Sequence, residues 1–292
     1  MTPLTKGTSR NALLGLGFVL IGATLIPWSA ALVQPVFVAV GPSASSSWRF
    51  LLGALVLLAF TRPDVRRWTR HQWVGASALG LSTAFMNQCF YQAIARIPLG
   101  SAVAIEFLGP FLVAALGRRS WRHLALVALA GFGVIALSRP GGGLTLVGGL
   151  FALGSGAGWA AYLFASHRVG GSTTGFEGLA VSMCIAALVT LPLSISSAHT
   201  FADHPYLLGR VALVAVMSIV LGFGAELQAL RRLKPSIVAV LLAFDPAIAF
   251  IVGWLLLNEK ITVWVLAGLG SVVLAGVGVT LEQARRVELV PR

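Results

Sequence analysis

Two acidic residues stand in the middle of apolar runs long enough to cross a membrane, Glu106 within Pro98–Gly117 and Asp245 within Pro235–Leu257. A carboxylate at the centre of a bilayer costs roughly 2.5–3.5 kcal/mol on insertion scales, so each must face a bundle interior or a wet cavity. There it can take the ammonium group of a solute, carry a proton, or tie two helices together by a hydrogen bond. A proline follows each acid. Pro110 has no N–H, which orphans the carbonyl of Glu106, and Pro246 does the same to the carbonyl of Leu242. The two orphaned carbonyls lie 136 residues apart. Interrupted helices at corresponding places in two halves point to a transport site, and a simple packing kink is the other reading of each.

Further side chains within the runs extend this set. Asn87 and Tyr91 share a helix face at an i, i+4 spacing, with Gln88 beside them, and these groups either bind solute or join helices. Glu226 falls near the end of its run, where it serves a solute or pairs with Arg231 or Arg232. Trp28, Trp159 and Tyr162 lie inside runs rather than at their ends, as walls of an aromatic pocket or as core. No Lys or Arg reads as mid-span, so a multiply anionic solute such as a sugar phosphate lacks its counter-charge. Carboxylates and freed carbonyls suit an ammonium-bearing solute, and a zwitterionic amino acid fits if amides or indole N–H groups meet its carboxylate. Protons are a further candidate partner.

Several chemistries are disfavoured. There is no G-x-x-x-x-G-K-[ST] motif for ATP hydrolysis within the chain. The five histidines fall at or near the ends of runs, and Cys89 and Cys184 form no metal-spaced cluster. No nucleophile–base pair is evident within a run, so neither a membrane enzyme nor a cofactor or metal is expected. No ring-forming filter sequence supports a channel. The glycines of Gly154-Ser155-Gly156-Ala157-Gly158 read as close helix contacts rather than a phosphate loop.

The elements that position these residues follow from composition. Of 292 residues 57% are hydrophobic and only 10% charged, with a mean hydropathy of +0.89. A soluble domain carries about 25% charged residues, so the partner of most of this chain is a lipid bilayer. Apolar runs fall at about 11–33, 44–61, 72–95, 98–117, 121–138, 146–167, 174–197, 205–230, 235–257 and 261–281. Runs this long in lipid are helices, because open sheet edges are not tolerated there. The expected fold is therefore an all-α membrane protein of ten transmembrane helices.

The net charge of +12 is spread in small groups between the runs, as topology signals are, and not as a nucleic-acid surface. With the N-terminus inside, sixteen Lys and Arg residues fall on the inner side. Five fall outside, namely Arg49, Arg96, Arg139, Arg210 and Lys260. That bias sets both termini in the cytoplasm. The chain also resembles itself at an offset of 136. Gln92-Ala93-Ile94-Ala95-Arg96 lies over Gln228-Ala229-Leu230-Arg231-Arg232 and Gly109-Pro110 lies over Asp245-Pro246; earlier in each half, outside that offset, Trp28 of the first helix matches Trp159 of the sixth. A repeat of five helices is odd in number, so the halves insert in opposite directions. The domain reading is a cytoplasmic N-terminus at 1–10, one five-helix repeat at 11–138, its inverted partner at 146–281, and a cytoplasmic tail at 282–292.

The stretch Ile97-Pro98-Leu99-Gly100-Ser101-Ala102-Val103-Ala104-Ile105-Glu106-Phe107-Leu108-Gly109-Pro110 closely resembles that of bacterial threonine/homoserine exporters, within the EamA-type drug/metabolite transporter superfamily. Gly156-Ala157-Gly158-Trp159-Ala160-Ala161-Tyr162 and Glu226-Leu227-Gln228-Ala229-Leu230-Arg231-Arg232-Leu233 are similar to its sixth and eighth helices. Phe244-Asp245-Pro246-Ala247 stands where the family commonly has Glu-Pro, and Asn258-Glu259 where it has Gly-Glu. The resemblance implies a central cavity lined mainly by helices 3, 4, 8 and 9, and efflux of threonine-like, aromatic or related amino acids across the bacterial inner membrane. Efflux of drugs, cations or another metabolite is the alternative, and a passive channel a weaker one. The shorter acid at Asp245 bears on which solute is carried.

Overall fold

The computed structural model describes residues 6–115, 121–137, 143–170, 176–233, 238 and 241–287. Every regular element among these residues is helical. Lipid imposes this, because a backbone in hydrocarbon must satisfy its own N–H and C=O groups. Helix α1 spans Lys6–Val33 and passes through a 3-10 turn at Gln34–Val36 into α2, Phe37–Thr61. Helix α3 is Arg70–Ile94, α4 is Leu99–Glu106, α5 is Leu108–Ala115 and α6 is Trp121–Leu137. Helices α7, Leu146–Gly170, and α8, Glu177–Thr190, are followed by short α9, Pro192–Ile195, and α10, Ala198–Asp203. Helix α11, Pro205–Ala215, continues through π-helical Val216–Phe223 into α12, Gly224–Leu230. Helices α13, Asp245–Leu257, and α14, Val263–Val287, complete the described chain.

Among the described residues three stretches, Leu13–Thr61, Leu146–Ala165 and Pro205–Ala229, are long and apolar enough to cross a membrane. The first has 49 residues. Straight, it would reach about 74 Å, more than twice a hydrocarbon core of ~30 Å. It bends at Gly41, whose φ of +79° is open to glycine but strained for other residues, just before Pro42. Residues 34–43, between the first two apolar runs, are thus helical rather than looped. Helix α14 also continues to Val287, past its run's end at 281. Of the Lys and Arg residues counted for orientation, Arg118, Arg119, Lys234 and Arg292 of the inner sixteen and Arg139 of the outer five lie outside the described residues, as do positions 1–5, 138 and 288–291 of the expected domain bounds.

Two interruptions bear on function. Helix α4 ends at Glu106 and α5 begins at Leu108. The Phe107 N–H still reaches the Val103 carbonyl at 2.9 Å, but Pro110 offers nothing to the carbonyl of Glu106. Gly156 of α7 stands against that carbonyl, and a Cβ there would come within 2.6 Å of its oxygen. In the other half the helix at Leu241–Leu242 turns at Ala243–Phe244, and α13 starts at Asp245 with Pro246 in its first turn.

The most extensive helix pairs join one half of the chain to the other. Helix α3 lies along α7, α14 along α6, α2 on α8, α13 on α4, and α1 on the α11–α12 helix. Small residues permit the closest approaches. At Gly109 an added Cβ would overlap the carbonyl oxygen of Gly156, whereas at Gly131 it would meet nothing within 4 Å. Backbone cannot rotate away from such a clash. Gly109→Ala is therefore expected to destabilise the protein by at least about 1–3 kcal/mol, with Gly131→Ala near neutral. Thermal unfolding in detergent separates the two, and equal melting temperatures would contradict the packing described.

Candidate functional site

The interrupted helices face a cavity of about 90 Å³ between the two halves. Glu106 enters it from the end of α4, Asp245 from the start of α13 and Glu226 from α12. Asp245 is within electrostatic range of both Glu226 and Glu106, so the three acids share one field. Glu106 is 9% exposed. Ser155 of α7 donates a hydrogen bond to its carboxyl, and the same hydroxyl lies 2.9 Å from the carbonyl of Met86. Glu226 has room because α1 carries Gly22 opposite it, where a Cβ would meet the Glu226 side chain at 3.1 Å. Among the described residues, Oδ1 of Asp245 is buried without a hydrogen-bond partner.

Aromatic rings line the cavity beside these acids. Trp159 meets Phe107, the residue at the α4–α5 break, edge to face with centroids 6.0 Å apart. Tyr162 lies against Phe223 at 6.4 Å. Asn87 and Tyr91, one turn apart on α3, also line it.

One cavity residue overturns the charge reading. Arg49, taken above as a residue of an outer loop, lies inside α2, is 3% exposed and lines the cavity. Its Nη1 donates to Ser218 Oγ at 3.0 Å, and its Nη2 donates to Asn87 Oδ1. The guanidinium also sits over the rings of Tyr91, at 4.9 Å, and Phe50, at 5.1 Å. A basic group therefore does stand within a span. The cavity holds acidic and basic groups together.

A family model described as the EamA-like transporter family matches residues 146–281. The threonine/homoserine exporter RhtA of Salmonella typhimurium (strain SL1344) is 33% identical over 274 residues, 93% of this chain and 92% of its own. RhtA of Escherichia coli (strain K12) is 33% identical over 266 residues, 90% of each chain. The chain belongs to the EamA-like transporter family. A solved crystal structure with 21% identity has the same fold, with a TM-score of 0.63 over 96% of this chain and 99% of the other.

Within this EamA-like transporter two of the singled-out residues stand apart from the cavity lining. Gln88 is one position, about 100° of helix rotation, round from Asn87. Its amide donates to Ser47 Oγ at 3.0 Å and to the Ser43 carbonyl at 3.3 Å, on α2. Trp28 packs against the apolar cluster that includes Val33, Val36 and Tyr91. Both side chains join helices. Sequence reasoning missed Arg49, although its position six residues into the run 44–61 was a usable signal. It also gave no hint of Ser218, which the π-helical segment presents to the arginine.

Helix α4 is itself held in place from the other half. Pro98, at its N-cap, offers no side-chain acceptor. Instead Glu259, in the loop after α13, accepts the Leu99 N–H at 2.5 Å. A carboxylate suits the positive end of a helix. Burial pushes the Glu259 carboxyl above its ordinary pKa, and the N–H groups of Leu99 and Gly100 pull it partly back. Asn258 makes the turn possible, closing α13 in the left-handed region at φ 55°.

Proposed function

We propose that this transporter exports small neutral amino acids of the threonine/homoserine kind across the bacterial inner membrane by alternating access. In this reading ten helices form two inverted five-helix repeats, and both termini are cytoplasmic. The observation that carries it is a cavity lined by three acids and a guanidinium, which offers partners to both ends of a molecule bearing an ammonium and a carboxylate. Glu106, Asp245 and Glu226 receive the ammonium group, while Trp159 and Tyr162 wall the side chain. One water needs about 10–15 Å³ of such space, so 90 Å³ holds on the order of six to nine waters, comparable to one small amino acid. The names of the RhtA relatives point the same way.

Matched details support the inverted repeat. Arg96 bonds the carbonyl and side chain of Gln92 and lies 5.2 Å over Phe151 of α7. Arg232 does the same with Gln228 and lies 4.9 Å over Phe18 of α1. Each pair thus closes a helix of one half on the first helix of the other. Because the largest contacts cross between halves, the moving bodies combine helices of both, and simple rocking of one half on the other does not describe the cycle. The three acids are groups that a proton and the solute ammonium can occupy in turn, so protons exchange for the solute.

A proteoliposome screen across the twenty amino acids tests the reading. Preloaded unlabelled threonine or homoserine should accelerate entry of the labelled compound, as a carrier requires. An acidic exterior should speed export from preloaded vesicles. A channel gives no such trans-stimulation, and failure to move any amino acid would overturn the proposal.

A further inference from the structure

We propose that Arg49 and Tyr91 form a carboxylate-binding pole, so that the cavity accepts α-amino acids as zwitterions and refuses the corresponding amines and amides. This rests on reading the cavity as the solute site and adds which part of the solute is recognised.

The argument begins with an unpaired charge. Among the described residues no carboxylate forms an ion pair with Arg49, although it is buried. Its hydrogen bonds to Ser218 and Asn87 are both to neutral groups. A guanidinium has five N–H donors, so these two bonds leave three, and its Nε–H is buried without a partner. The phenol of Tyr91, whose ring lies under the guanidinium, is also buried without a partner among the described residues. A desolvated, uncompensated charge is strongly unfavourable, so its retention calls for an anion that comes and goes.

The surroundings hold the guanidinium ready for one. The Asn87 amide nitrogen donates to the Thr83 carbonyl at 2.9 Å, which turns its oxygen toward Arg49. Ser218 sits in a π-helical turn, a distortion frequent at functional sites. A carboxylate is the planar, singly charged partner that a guanidinium fork matches, and the Tyr91 hydroxyl supplies one more donor. The same cavity offers the acids and the unpartnered Asp245 oxygen for an ammonium. An amine or amide would fill only the acidic pole and leave Arg49 bare. Sites built to hydrogen-bond a group reject analogues that lack it far more strongly than apolar pockets reject a methylene.

The test is counterflow of labelled threonine in proteoliposomes, with threonine, threoninamide and 1-amino-2-propanol as competitors. For the wild type, the amide and the amine should compete at least about tenfold more weakly than threonine. In Arg49→Gln, threonine affinity should fall at least about tenfold and the preference over the amide should collapse. Tyr91→Phe should weaken threonine about three- to tenfold and leave the amide unchanged, and it decides the matter if Arg49→Gln does not fold. The inference is overturned if the wild type handles threonine and threoninamide alike. It is equally overturned if folded Arg49→Gln keeps the wild-type preference, or if Tyr91→Phe changes nothing when it alone can be assayed. A wild type that carries none of the three compounds overturns the transport reading instead, and this inference with it.

Discussion

Replacing Glu106 by glutamine is expected to reduce threonine counterflow about ten- to a hundredfold, the equivalent of one charge-assisted hydrogen bond of ~1.5–3 kcal/mol, without unfolding the protein. The glutamine amide can donate to Ser155 while Ser155 donates to the Met86 carbonyl, so the α4–α7 contact survives. What disappears is a carboxyl that can take a proton or an ammonium at the point where α4 breaks. Asp245→Asn should behave alike, since it changes one oxygen at the start of α13 and leaves its size intact. Either variant should also flatten the response to a pH gradient, because one proton-binding group has gone. Rates per mole of protein, read beside melting temperatures in detergent, check both halves of the expectation. Wild-type rates with every amino acid tested would remove these acids from the solute site.

The second large effect is on stability. Asn87→Leu should destabilise the protein by about 3 kcal/mol, because it deletes an acceptor from a buried guanidinium that has no ion-pair partner among the described residues. At about 2–4 °C per kcal/mol for a chain of this size class, the melting temperature should fall by the order of 10 °C. Threonine at 100 times its dissociation constant should return about 2.7 kcal/mol to any variant that still binds it. An unaltered melting temperature in Asn87→Leu would mean that the Arg49–Asn87 contact does not support the fold.

Much of the helical framework was legible in the sequence because lipid leaves the chain few options. The described helices lie along the apolar runs, and the interruptions at Phe107 and at Ala243–Phe244 precede the prolines that remove a backbone donor. Rotational register was far less legible. Asn87 and Gln88 are chemically similar neighbours, yet one faces the cavity and the other the serines of α2. Hydropathy distinguishes neither, since both sit in the same run. Arg49 escaped notice for a related reason. A basic residue near the edge of a run reads as an orientation signal, and only the bend at Gly41, which carries helix past that edge, puts it inside the protein. Helix pairing was not legible either, because α3 and α7 meet through glycines, a serine and ordinary apolar side chains such as Met86 and Leu79, which mark no particular partner.

The pairing of α2 with α8, α4 with α13 and α6 with α14 has a consequence for biogenesis. As synthesis proceeds, the segments up to Leu137 leave the ribosome before most of their lasting neighbours exist. They must wait in the bilayer as loosely associated spans until the later ones arrive. The two halves of the chain thus depend on each other to fold. A premature stop before Leu146 should yield a product cleared by membrane proteases, whereas two fragments produced together in one cell should reassemble.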